Sequence, residues 1–332
     1  MERKRIEDTE GIYEYLWEPD GAGGARLLGM YGQTPDVLVP EFLVGLPVTE
    51  IGDYCFAGRR SAAPDDASLD GQRTDAASLR KLAGDAVESV ILPQTVRRIG
   101  SYAFYQCRQL KALTLGDAVE AVGGDAFMNC HRLHRMTVGG EAPAAGIRQI
   151  LAQISSDMEV DFVRGEEVRI RLLFPEYYES YDEIAPAHLF GRNIEGEGFR
   201  ARQCLRQGEI DFALYDSIFP KACAEEREAT LNRLACDRLR YPVGLAEESR
   251  ERYEAYIRAH ADALCAEAVG ARDEDAVQFL CEQGLLGALH IDGCIRLAAD
   301  AEWAKGVAAF LRMKEQFFAE KTVEERYTFD DF

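Results

Sequence analysis

Apolar side chains recur along this chain with two different periods. In the first half they alternate in short runs: Val87, Val90 and Leu92; Leu110, Leu113 and Leu115; Leu133, Met136 and Val138. Alternation over a few residues is the signature of a strand with one buried face. Two of these runs lead into a common turn pattern. The first is Val96-Arg-Arg-Ile99-Gly100-Ser-Tyr-Ala103-Phe104-Tyr-Gln-Cys107, and the second is Val119-Glu-Ala-Val122-Gly123-Gly-Asp-Ala126-Phe127-Met-Asn-Cys130. Equivalent positions lie 23 residues apart: 87, 110 and 133; 99 and 122; 104 and 127; 107 and 130. An upstream copy, Val37-Leu-Val39-Pro40 with Val48-Thr-Glu-Ile51-Gly52-Asp-Tyr-Cys55-Phe56, carries an insertion around Gly45-Leu-Pro47. A polar stretch over residues 59–81 separates it from the next unit and reads as a mobile loop.

A fixed period of this length predicts a solenoid, because one strand-and-turn unit cannot bury both of its faces. The strands should stack as a parallel ladder. Phe104 and Phe127 should fill a common interior, and Cys107 and Cys130 should be small buried thiols beside the turn. Proline after the strand ends it, since it cannot donate to the ladder. Gly100 and Gly123 are expected to take positive φ in the tight turn. The outward positions of successive strands are Ser89 and Ile91, Ala112 and Thr114, Arg135 and Thr137. Aligned, they make a small, mostly uncharged patch that is a candidate contact surface for a protein partner.

The pattern L-x-x-V-x-I-P-x-x-V-x-x-I-G-x-x-A-F-x-x-C-x-x-L resembles the BspA-like class of leucine-rich repeats over roughly residues 25–140. The departures are Arg59, where Cys107 and Cys130 stand in the later units, and an array of only about three units. The resemblance implies a solenoid used for protein recognition, in a class whose members are often secreted and cell-surface.

After Val138 the pattern breaks. Ile147, Ile150, Leu151 and Ile154 have helical spacing and predict a helix or cap over the open end of the solenoid. Residues 167–174 alternate as a strand. Tyr177, Tyr178 and Tyr181 then cluster among acids, either as a binding platform or packed on a neighbouring domain. From Arg200 the pattern is helical, with helices over 222–239 and 246–268, the latter broken near His260. A weak second repeat over residues 261–313 pairs Leu280 with Leu311 at an offset of 31 and suggests ankyrin-type helix pairs; a plain helical bundle is the alternative. The fold class is therefore α+β, a short leucine-rich-repeat solenoid followed by an α-helical domain, either ankyrin-like or a plain bundle. The expected divisions are an N-terminal segment (1–24), the repeat domain (25–140), a cap and connecting region (141–200) and the helical domain (201–332).

Charge narrows the partners. The chain has 332 residues, 58 acidic and 38 basic, for a net charge of −20. Residues 1–150 carry 21 acids and 16 bases and the remainder 37 and 22, so the helical half holds most of the negative field. Such a surface repels phosphate backbones and anionic lipid heads, which argues against nucleic acid and membrane surfaces. A basic start without an apolar segment predicts no signal peptide, and no window of 18 apolar residues occurs. The nine cysteines are odd in number and form no CxxC pair, so they read as cytosolic buried thiols.

Chemistry is sparse. His131 and His134 lie three apart without further ligands, so no metal is expected. Gly196-Glu-Gly198 lacks a third glycine and a preceding strand, and no phosphate-loop or nucleophile-elbow motif occurs, so no cofactor is expected. The expected function is a cytoplasmic, non-enzymatic protein-interaction scaffold. The candidate contact residues are Ser89, Ile91, Thr114, Arg135, Thr137, Tyr177, Tyr178 and Tyr181. The alternatives are an enzyme with a site around residues 175–245, where Tyr, Asp, Glu, His188 and Arg192 occur, or a cell-surface adhesin.

Overall fold

The computed structural model describes residues 2–7, 12–58, 79–140, 145–184, 189–206 and 208–319. The predicted mobile stretch therefore lies almost wholly outside the described residues. The chain divides into two compact units, residues 1–231 and 232–332.

The first unit opens with β1 (Glu2–Glu7), β2 (Ile12–Pro19) and β3 (Ala25–Gly32), an antiparallel meander whose second strand buries Tyr13, Tyr15 and Trp17 in alternation. The solenoid follows as β4 (Asp36–Leu38), β5 (Phe42–Leu43), β6 (Leu46–Ile51), β7 (Arg80–Lys81), β8 (Ser89–Ile91), β9 (Arg98–Ile99), β10 (Ala112–Gly116), β11 (Ala121–Val122) and β12 (Arg135–Gly139). Two ladders result. Strands β4, β8, β10 and β12 run parallel in one sheet, while β6, β9 and β11 run parallel in the other and join the meander through β3. Strand β7 pairs with the end of β3.

Between the ladders lies the expected interior. Phe56, Phe104 and Phe127 stack on one another with ring centroids 5.2 and 5.0 Å apart, all buried. Val37, Val90, Leu113, Met136 and Val160 form a second apolar row in strand register. The thiols join the turns: Cys107 donates to the Phe56 carbonyl and Cys130 to the Phe104 carbonyl, each at 3.1 Å. Burial pushes both thiols up, Cys130 to about 12, so neither is a nucleophile at neutral pH.

The turn glycines work differently from the expectation. Gly52, Gly100 and Gly123 do not have positive φ; that conformation falls two residues later, on Tyr54, Tyr102 and Asp125. The glycines are needed because the coils approach too closely for a side chain. A Cβ on Gly100 would stand 2.6 Å from the Asp53 nitrogen and 2.7 Å from the Gly52 carbonyl carbon, and one on Gly123 would stand 2.3 Å from the Ser101 nitrogen.

The ladder also continues past the point where the 23-residue pattern stops. Helix α1 (Ala145–Leu151) replaces a turn, and β13 (Met158–Arg164) then pairs parallel to β12 at a step of 24 residues, Arg135 opposite Glu159. Strand β14 (Glu167–Phe174) closes the sheet antiparallel to β13. Helix α1 buries Ile147, Ile150 and Leu151 and lies beside β11, the edge of the other sheet. The Gln149 carbonyl oxygen there accepts the Val122 N–H at 2.7 Å; Gln153 accepts from Phe127 and donates to the Gly123 carbonyl.

A hairpin of β15 (Tyr178–Ile184) and β16 (Leu189–Glu195) follows, then α2 (Gly198–Ala201), the short pair β17 (Leu205–Arg206) and β18 (Glu209–Ile210), α3 (Phe212–Asp216) and α4 (Phe219–Glu225). The single helix expected over 222–239 is thus two, interrupted by extended backbone at Glu226 before α5 (Glu228–Arg240).

The second unit contains α6 (Glu247–Ala259), α7 (Ala261–Ala271), α8 (Glu274–Glu282), α9 (Ala288–Asp300) and α10 (Ala304–Phe318). Helix α7 packs on α9 and α8 on α10, as in stacked helix pairs. The offset between the pairs is 30 rather than 31. Arg272 and Glu302 both take positive φ, and the following N–H groups of Asp273 and Trp303 bond the carbonyls of Ala268 and Ala298. Leu280 therefore corresponds to Phe310, which is buried, and not to Leu311, which is 52% exposed.

Candidate functional site

The outward positions of the longer ladder fall into two columns. One runs Asp36, Ser89, Ala112, Arg135, Glu159, and the other Leu38, Ile91, Thr114, Thr137, Asp161, Arg171. Six strands at about 4.8 Å spacing make a face roughly 24 Å across. Ile91 is 46% exposed, and Ala112, Thr114 and Thr137 are half-buried.

The face is larger and more polar than the sequence suggested. At one end the Ser89 hydroxyl donates to Asp36 Oδ1 at 2.6 Å. At the other, Arg171 holds Asp161 through two bonds, Nε to Oδ1 at 2.6 Å and Nη2 to Oδ2 at 2.8 Å. Arg135 reaches Asp161 and Glu159, each at 3.2 Å. Asp161 is only 3% exposed, so this cluster is a fixed charged border and not a loose rim. Ser89, Ile91, Thr114, Arg135 and Thr137 thus share one face, with a neutral middle between polar ends.

The tyrosines separate. Tyr177 is 6% exposed and cannot serve as a contact residue. It packs edge-on against Phe199, with the Arg202 guanidinium 5.0 Å above its ring. Tyr178 and Tyr181, each 62% exposed, project from β15, opposite Glu195 and Arg192. Arg202 had no sequence signal. It is buried, and it donates to the carbonyls of Pro175, Gly198 and Ser156 at 2.7, 2.9 and 2.7 Å and of Leu151 at 3.2 Å. Burial lowers its pKa to about 10, so it still carries its charge at neutral pH.

The residues considered for chemistry are dispersed. His188 lies outside the described residues. Arg192 is engaged by Glu179 and lies 5.1 Å over the Phe199 ring. Burial raises the Glu226 carboxyl, which accepts the Glu197 N–H at 3.1 Å. His131 and His134 border shallow grooves beside the last turn. Among the described residues no group of His, Cys, Asp and Glu is arranged to hold a metal ion, and no helix is long and apolar enough to cross a membrane.

Residues 82–146, the turns from Leu82 to the start of α1, match the family described as BspA type Leucine rich repeat region (6 copies). These turns are BspA-type leucine-rich repeats. No curated protein matches the chain. Solved structures with similar repeats include the leucine rich repeat protein of T. pallidum, 22% identical with a TM-score of 0.28, covering 38% of this chain and 50% of that one. Another is a leucine-rich repeat protein of Bacteroides capillosus, 20% identical with a TM-score of 0.28, covering 42% of this chain and 83% of that one. A third is a leucine rich cell surface protein of Faecalibacterium prausnitzii, 24% identical with a TM-score of 0.27, covering 41% of this chain and 33% of that one. The chain thus spans half the length of the T. pallidum protein. BspA-type repeats form a protein-interaction fold; here the matched residues supply Phe104 and Phe127 of the stack and the strands β8, β10 and β12 of the face.

Proposed function

We propose that the protein is a non-enzymatic interaction scaffold that binds a protein partner on the strand face of its repeats. One observation carries the reading: Ile91, Thr114 and Thr137 stand in a single register column, exposed or half-exposed, between fixed polar ends. A neutral centre with a polar border is the anatomy of a protein contact surface. Stable complexes bury roughly 800 Å² per partner, so the exposed Tyr178 and Tyr181 hairpin is proposed to share the contact.

We propose the cytoplasm as the compartment. Nine free cysteines support this, most of them buried, with Cys107 and Cys130 hydrogen-bonded as thiols to backbone carbonyls. Surface labelling of the protein on intact cells would overturn this placement.

Affinity capture from the native host, followed by mass spectrometry, tests the contact surface. Wild type should capture a partner that Ile91→Asp/Thr114→Asp loses, with the far-UV spectrum and melting temperature of the variant unchanged. Equal capture by both would remove the strand face from the account.

A further inference from the structure

In the turn segment each coil passes alternate N–H groups to the next coil. Those of Tyr54, Phe56 and Gly58 donate to the carbonyls of Ser101, Ala103 and Tyr105 at 3.1, 2.8 and 2.8 Å. Those of Tyr102, Phe104 and Gln106 donate to Gly124, Ala126 and Met128 at 3.1, 2.8 and 2.9 Å. In the last coil the equivalent donors are Asp125, Phe127 and Asn129. Phe127 reaches Gln153 Oε1 at 3.3 Å. Among the described residues, no protein acceptor meets the N–H of Asp125 or Asn129.

These two donors border a groove of about 390 Å³ between the last coil and residues 152–156. Its walls include the side chains of Met128, which is 45% exposed, Ile154 and His131. An open row of backbone donors beside an apolar wall is a template for an added chain segment. We propose that this groove binds an extended segment of a partner protein. The segment supplies carbonyls to the Asp125 and Asn129 N–H groups on either side of Gln153, and it sets an apolar side chain against Met128.

Charge selects this occupant. The Asp125 carboxylate beside one donor opposes an anion and favours a neutral carbonyl. A net charge of −20 opposes close approach of a second copy. The groove lies apart from the strand face, so the two surfaces fail or succeed independently.

The experiment pans a phage-displayed library of random linear peptides on the full chain and measures the enriched peptides by fluorescence polarisation. They should bind wild type and Thr114→Asp alike, and lose about tenfold or more in affinity to Met128→Arg, which blocks the groove from an exposed position. Amide exchange followed by NMR should show Asp125 and Asn129 becoming protected on binding. Failure to enrich any peptide, equal binding to Met128→Arg, or protection at Ile91 and Thr114 instead would each overturn the proposal. So would dimerisation of the free chain that Met128→Arg abolishes, which would make a second copy the occupant.

Discussion

Gly100 shows how a single position sets the spacing of the coils. Its missing side chain lets the backbone of one turn rest on Gly52 and Asp53 of the turn before. Gly100→Ala has to push rigid backbone aside, so it is expected to destabilise the protein by about 1–3 kcal/mol, the range of overpacked cores. Gly124, one position past the equivalent Gly123, has nothing within 4 Å of its Cβ direction. Gly124→Ala should stay within about 0.5 kcal/mol. Urea denaturation of the two variants checks the contrast, and equal effects would mean that the close approach does not matter. Arg202 works by another route, replacing water with four backbone carbonyls that converge on it from residues 151–198.

At the scale of elements, the last coil ends two sheets, and they are finished by different means. The strand sheet is extended by β13 and β14, whose backbone continues the ladder. The short-strand sheet is met in part by side chains, the amides of Gln149 and Gln153 on and after α1, which accept the N–H groups of Val122 and Phe127. Removing either amide leaves backbone groups of the last turn without a partner. Gln149→Ala and Gln153→Ala each remove part-buried bonds and are each expected to cost about 0.5–1.5 kcal/mol, the net worth of an ordinary hydrogen bond. Arg148→Ala, which loses only an exposed bond to Gln203, should cost less than about 0.5 kcal/mol. Thermal melts of the three variants test this; indifference to both glutamine changes would show that water serves the edge equally well.

Over the whole molecule, charge is the dominant long-range term. A net charge of −20 repels itself in the folded state, while the exposed ion pairs such as Arg97–Glu120 and Lys111–Glu88 return little. Raising NaCl from a few millimolar to physiological strength should therefore stabilise the protein by about 1 kcal/mol, or about 2–4 °C in melting temperature. Scanning calorimetry over a salt series measures it, and a fall in melting temperature would mean that ion pairs outweigh self-repulsion.

The 23-residue period by itself determined the solenoid, the shared interior of Phe104 and Phe127, the structural thiols and the outward column of Ile91, Thr114 and Thr137. Each of these is a consequence of one apolar pattern meeting itself in the next coil, so periodicity suffices to read it. Only the tertiary structure decided the rest. The charged border of Glu159, Asp161 and Arg171 depends on a register step of 24 across α1, which no constant period can contain. The 30-residue offset of the helix pairs is set by the positive-φ turns at Arg272 and Glu302, which composition does not announce. Tyr177 and Tyr178 are adjacent and chemically alike; a guanidinium brought in from Arg202 buries one, while strand geometry turns the other to solvent.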